Sequence, residues 1–467
     1  MNIRSLLSVI CLPLLVMVSA VDAGENLQAG AGTVVITPPL GVPLAGYYHK
    51  RGASGVHDDL FARAIVLRKA DVTAAFVSLD LISTRRGFVE KARELIEERT
   101  GIPAAHVMIS ATHAHTGPVL TESRLYDDQG ATESTVVAFT NTLPDKIAQS
   151  VADAYDRLQD VEVLSAVGTE GSIAFNRRFH MRDGTVGWNP GKRNPDIIKP
   201  AGPIDPQVPV VYFRTARTEH PLAVYVNYSV HLDNVGGDQI SADLPFTVTE
   251  NLRKAVGSDL VTVYTSGACG DLNHVDVTWA ASQKGHENAA RMGTILSGEV
   301  LKAWRNLEPV DGLLQVKTRM VELAIPKVSA EAVKTAEEIV KSMDDSNRRS
   351  FMQLVHAHKV LDVAAREDKP FEVEVQVITL GDALAWVALP GEIFVELGLD
   401  LKSASPFKQT MVAELANGSI GYVPTSRAYR QGAYEVVSAR CVAGSGEVLV
   451  NAALDLLTEC YSAAITE

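Results

Sequence analysis

Short apolar runs alternate with polar breaks along most of the chain, and the spacing switches between that of a strand and that of a helix. Residues 33–36, 60–67 and 74–81 are apolar-rich runs bounded by Gly, Pro or Asp, the pattern of buried strands. Residues 88–99 repeat apolar positions at helical spacing and stop before Gly101-Ile102-Pro103. Residues 107–111 form the next strand, and Gly117-Pro118 ends that segment. This strand–helix–strand order predicts an α/β fold.

The same alternation continues. Residues 134–158 predict a long helix with Pro144 as a kink or break. Residues 161–167, 209–213, 223–230 and 260–266 read as strands, and 244–256 and 283–304 as helices. Asn176-Arg177-Arg178 lies in a turn. Residues 188–209 are rich in Pro and Gly without periodicity and predict a long loop of the kind that carries function. Residues 330–365 are helical, charged and expected outside the core. Residues 371–380 and 384–389 predict a hairpin around Gly381-Asp382. Pro390-Gly391-Glu392 is expected to open a helix, and 410–415 a strand that turns into Gly421-Tyr422-Val423. With no repeat and no linker-like stretch, the expectation is a single large domain over 24–467. Its architecture would be mixed β-sheets stacked and flanked by helices.

Composition changes the picture in three places. Arg4, the apolar residues 6–18 and the small residues Ala20 and Ala23 read as a secretory signal peptide over 1–23. No second stretch could cross a bilayer, so the mature chain is expected to be secreted or periplasmic. A formal net charge of −13 argues against a nucleic-acid partner. Beyond the leader, Cys269, Cys441 and Cys460 allow one disulfide at most, and the sequence does not fix a pairing.

The chemistry gathers at strand ends. His113 and His115 follow the run 107–111, and in extended chain alternate side chains share a face. His231, Asp271 and Glu392 also stand just past the carboxyl ends of apolar runs, where ligands collect in α/β sheets. Two or three imidazoles, a carboxylate and an open position are what a catalytic zinc site needs.

Several motifs resemble the neutral/alkaline non-lysosomal ceramidase family. The most specific is Ser110-Ala111-Thr112-His113-Ala114-His115-Thr116-Gly117-Pro118, similar to that family's A-T-H-x-H-[ST]-G-P signature. Gly55-Val56-His57-Asp58-Asp59-Leu60, Val77-Ser78-Leu79-Asp80, Asn176-Arg177 and Leu389-Pro390-Gly391-Glu392 support it. So does Gly421-Tyr422-Val423-Pro424-Thr425, followed by Gln431, Tyr434 and Glu435. The resemblance runs from about Ile36 to Tyr434. It implies one Zn2+ held by His113, His231, Glu392 and Tyr422, with His115, Arg177 and Tyr434 around the reacting bond. Tyr422 is absent from the strand-end argument, which reaches only the histidines and the carboxylate.

Two departures stand out. The family's G-[ND]-x-S-P-N loop matches Gly270-Asp271-Leu272-Asn273-His274, with Asn273 in place of the serine. An asparagine can donate a hydrogen bond but cannot act as a nucleophile. The chain also ends about thirty residues after Tyr434, without the length of the family's carboxy-terminal immunoglobulin-like domain.

The resemblance therefore implies an exported zinc-dependent hydrolase cleaving an N-acyl amide, ceramide to sphingosine and fatty acid. A small-molecule or lipid substrate would bring peripheral contact with a membrane surface. His115 would move a proton to the leaving amine. Arg177 and Tyr434 would donate to the developing oxyanion, and Asp271 and Asn273 would orient substrate. The alternatives are another ester, lactone or sugar-linked substrate on the same centre, or a non-catalytic binding protein.

Overall fold

Two stacked β-sheets form the middle of the molecule and helices cover both outer faces. The structure, a computed structural model, describes residues 26–121, 129–342 and 351–466. The expected leader at 1–23 lies outside the described residues.

The larger sheet runs, in spatial order, Val261–Ser266, Pro221–Tyr228, Gln207–Thr215, Gln159–Thr169, Gln28–Val35, Phe61–Lys69, Val72–Leu79 and Val107–Ala111. Both of its edge strands are paired parallel to their neighbours, and the strands between them are antiparallel. Strand twist accumulates across so many strands, and here it curls the sheet until its two ends meet. Ser78 donates to the Tyr264 carbonyl, and Ser266 Oγ donates to the Thr112 carbonyl at 2.8 Å. This closure brings His113, beyond one edge strand, beside His231, beyond the strand next to the other edge.

The smaller sheet contains Leu314–Leu323, Phe371–Leu380, Leu384–Ala388 and Gln409–Ala413. The hairpin expected around Gly381 is present, in antiparallel register from Gln376 to Leu380. Phe76, Met108, Tyr225 and Val263 of the large sheet pack with Ile378, Trp386 and Met411 of the small one, which forms the inter-sheet core. Helices Arg86–Thr100 and Ser134–Tyr155 cover part of the large sheet's outer face, and Leu244–Val256 and His286–Ala303 cover another part. Val395–Ala404 and Ser445–Ala464 cover the small sheet. The result is the mixed, stacked and helix-flanked α/β architecture that the pattern predicts.

Several details differ from the pattern. Helix Ser134–Tyr155 runs through Pro144 without a break. The expected loop 188–209 contains a short strand, Ile197–Pro200, paired with Arg178–Met181. Glu392 sits on a two-residue strand, and the helix after it begins only at Val395. The 330–365 region forms helices Ala330–Ser342 and Phe351–Ala364. The second of these packs onto the site, with Asp362 paired to Arg440 at 2.5 Å. Strand Leu314–Leu323 and helix Ser445–Ala464 occupy stretches to which the pattern assigns no element.

Candidate metal centre

Three imidazoles converge where the large sheet closes on itself. His113 Nε2 lies 2.9 Å from His231 Nε2 and 3.4 Å from His115 Nε2. The donor atoms of the three lie within 4.8 Å of one another, and all three residues are buried.

They reach this arrangement by a different route from the alternation expected of extended chain. The strand ends at Ala111, and His113 adopts a left-handed backbone, φ 73°. A non-glycine residue there is strained and persists only where its surroundings fix it. Here the His113 N–H donates to Leu81 O at 2.9 Å, and the His113 ring is held through Nδ1 to Ile82 O at 2.7 Å. That bond puts the ring proton on Nδ1 and leaves the Nε2 lone pair facing the cluster. Gly46, itself at φ 99°, makes room for His115, since a Cβ there would sit 2.7 Å from His115 Nδ1.

Glu392 approaches the same point, its Oε2 3.5 Å from His113 Nε2. Tyr422 stands opposite Glu392 in a parallel two-residue bridge. The phenol interacts with the Glu392 carboxylate at hydrogen-bond range and accepts from Arg177 Nη2 at 3.1 Å. Burial, then the Glu392 charge, push the Tyr422 hydroxyl well above its ordinary pKa. The four residues assigned to the metal by resemblance are thus gathered together. His115 lies nearer His113 than the resemblance requires of a residue outside the ligand set.

These donors fit a divalent cation. Glu392 Oε2, 3.5 Å from His113 Nε2, is buried without a hydrogen-bond partner among the described residues. Buried polar atoms normally find partners, so an unpartnered carboxylate oxygen beside the clustered Nε2 atoms indicates a missing one. Separations of 2.9, 3.4 and 3.5 Å between donors are close to the roughly 3.4 Å edge of a tetrahedron with bonds of about 2.1 Å. Burial, then the His113 imidazole, hold His115 and His231 well below the ordinary histidine pKa. Both rings are therefore neutral at pH 7, the form that ligates.

Around the imidazoles lies a set of fixed charges. Arg177 donates from Nε to Glu435 Oε1 at 2.8 Å and from Nη2 to Gly270 O at 2.8 Å. Arg178 reaches Glu435 Oε2 at 2.9 Å. All three side chains of this triad are buried. Tyr434 stacks on Trp188 with centroids 4.4 Å apart and meets Tyr422 edge-on at 5.5 Å.

Asp271 and Asn273 lie close by, but their polar atoms are engaged within the protein. Asp271 accepts from Val395 N and Asn176 Nδ2, each at 2.8 Å. Asn273 donates to Asn189 Oδ1 at 2.9 Å and accepts from Val275 N at 3.0 Å.

Four further residues join the site without being singled out in the sequence. Asp233 Oδ1 stands 3.6 Å from His115 Nδ1 and accepts from the Tyr47 hydroxyl at 2.9 Å. Glu414 holds the backbone N–H groups of Ile393 and Cys269 at 2.9 and 3.1 Å. Glu435 carries the two arginines; its only sequence signal is its place after Tyr434 in the motif. Asp233, Tyr47 and Glu414 carry no sequence signal at all.

A second group, His57, Asp58 and His286, is arranged differently. Its two rings stack face to face, 3.7 Å apart at 10°. Their in-plane lone pairs run side by side instead of converging. Asp243 caps helix Leu244–Val256 and also accepts from Asn234 N and Val235 N at 3.0 and 2.9 Å. Cys269, Cys441 and Cys460 are all buried and free.

The helix–sheet–sheet–helix sandwich is a fold shared with solved neutral ceramidases. The neutral ceramidase from Pseudomonas aeruginosa superposes with a TM-score of 0.74 at 19% identity, over 94% of this chain and 75% of that one. A ceramidase complexed with C2 gives 0.73 at 18%, over 94% and 76%. At that identity the likeness establishes a common fold, in agreement with the motif resemblance. No protein-family model matches the chain, and no curated protein sequence matches it. Among the described residues no helix is long and apolar enough to cross a membrane.

Proposed function

We propose that the protein is a zinc-dependent hydrolase of an N-acyl amide, the bond that ceramide contains. The observation that carries this reading is the convergence of His113, His231 and His115 with the unpartnered carboxylate oxygen of Glu392. In this reading His113, His231, Glu392 and Tyr422 hold the ion. A divalent cation there supplies Lewis acidity and lowers the pKa of water towards roughly 7.

The chain's own residues do the rest. The neutral His115 ring, with Nδ1 beside Asp233, accepts a proton and passes one to the leaving amine. Arg177 and Tyr434 donate hydrogen bonds to the oxyanion. The Glu435 triad fixes Arg177 so that no reorganisation is needed when charge develops. Asp271 and Asn273 hold the 270–274 loop in place beside the substrate.

We also take the protein to act outside the cytoplasm, in the periplasm or beyond it, on the strength of residues 1–23. Asn273, standing where the resemblance places a serine, favours a second reading in which the same centre cleaves an ester, lactone or sugar-linked compound. The test is elemental analysis with an activity panel. Zinc near one per chain, activity on N-acylsphingosine or another N-acyl amide, loss on chelation and recovery with zinc are expected. Activity that survives complete removal of metal overturns the reading.

A further inference from the structure

A cavity of about 1010 Å³ opens against the proposed centre, with His113 and Glu392 in its wall. That volume suits a small organic substrate. Its lining bears directly on which one.

Five lining residues are cationic and five are anionic, so the wall carries no net sign, and polar and apolar surface share it about equally. Arg440 and Asp362 pair within it at 2.5 Å, both largely buried. Glu374 is gripped by Arg93 through two contacts of 2.8 Å and by Asn417 at 3.0 Å. Phe371, whose phenyl ring lies in the lining, has the Arg366 guanidinium 3.8 Å from its centroid. The Glu392 oxygen that accepts no hydrogen bond belongs to this same wall.

Hydrocarbon packed here would strip water from fixed ion pairs and return no hydrogen bonds. A neutral ligand rich in hydroxyl groups would replace that water bond for bond, since each hydroxyl both donates and accepts. We propose that the leaving group seated in this cavity is a polyhydroxylated amine of the amino-sugar type, not the long-chain amine of a two-chain lipid. The inference rests on the amide-hydrolase reading. Water adds its oxygen to the acyl carbon, and the C–N bond breaks. The nitrogen keeps the bonding pair and takes a proton, and a carboxylic acid leaves with the amino sugar.

The test compares N-hexanoylglucosamine with N-hexanoylsphingosine, which share an acyl group, on the zinc-loaded full chain, with hexanoate release as the readout. The expected kcat/KM is about ten-fold or more higher for the sugar amide. Ala365→Trp, which fills the cavity away from the imidazoles, should raise KM for it by about ten-fold with zinc content unchanged. Equal or better cleavage of the sphingosine amide, or an Ala365→Trp variant with unchanged KM, overturns the proposal. Should neither amide be cleaved, thermal shift separates the two ideas. A rise in Tm with the sugar amide in the parent but not in Ala365→Trp upholds the cavity assignment while the amide reading falls. No rise overturns both.

Discussion

Glu392 and Tyr422 face each other across a parallel bridge only two residues long. The bridge exists because two glycine turns nest. Glu392 N donates to Gly421 O at 2.9 Å, and a Cβ on Gly391 would sit 2.7 Å from that same oxygen. Directly paired residues on neighbouring strands project to the same side, so a carboxylate and a phenol reach the imidazoles together. Tyr422→Phe should therefore weaken zinc binding by about 10–100-fold, and Glu392→Gln by at least as much. Competition with a chromophoric chelator measures both. Unchanged affinity in both variants would remove the pair from the metal centre.

The imidazoles should matter more. His113→Ala and His231→Ala are each expected to bind less than stoichiometric zinc and to lose about 100-fold or more in activity, with an intact far-UV circular dichroism spectrum. Because burial and the neighbouring ring hold His115 and His231 well below the usual histidine pKa, these rings stay neutral until the pH falls well under 6.5. Zinc release on acidification should accordingly have its midpoint below that value. Release centred at 6.5 or above would contradict the buried arrangement.

The Arg177–Glu435–Arg178 triad makes a stability prediction. Removing one member of a buried charge group leaves the others desolvated and unpaired. Glu435→Ala should cost about 3–5 kcal/mol in denaturant unfolding. Arg177→Lys should also impair the protein, because one ammonium cannot serve Glu435, Gly270 O and the Tyr422 hydroxyl in the planar geometry that the guanidinium provides. A Glu435→Ala variant as stable as the parent would show that the triad is dispensable.

Glu414 should set a pH dependence. Burial pushes its carboxyl up to about 8, well above the ordinary range near 4.3 that applies when the chain is unfolded. Between those limits the folded chain holds a proton that the unfolded chain has released. The stability this contributes is present in full at low pH and is lost as pH rises through 8. Glutamine mimics the neutral acid. The Tm of the parent should therefore fall more between pH 6 and pH 9 than that of Glu414→Gln, and parallel curves for the two would sink the assignment.

Much of the architecture was legible because it rests on local pattern. Val107–Ala111, Leu244–Val256 and the hairpin at Gly381 match their apolar runs, since a buried strand or a one-sided helix must repeat its hydrophobic positions. Strand Leu314–Leu323 was harder to see. Half of its residues are polar or charged, and only its pairing with Phe371–Leu380 keeps it in a sheet. The helix over the site, Phe351–Ala364, reads as an outer element only because it belongs to the charged 330–365 stretch, whose charges mostly precede it. Its packing is decided by Tyr434, Trp188 and Tyr48, residues remote in sequence.

The chain by itself determined which residue types stand past the ends of its apolar runs: His113, His115, His231 and Glu392. It also supplied the motif context that adds Tyr422 and Arg177. Tertiary structure alone decided that they meet. The curl of the large sheet is a sum of small twists over many strands, which no local window contains, and it carries His113 to within 2.9 Å of His231. The left-handed turn at His113 and the partners Asp233, Glu414 and Glu435 are likewise settled by contacts between distant segments, where burial forces each polar group to find a neighbour that sequence order cannot name.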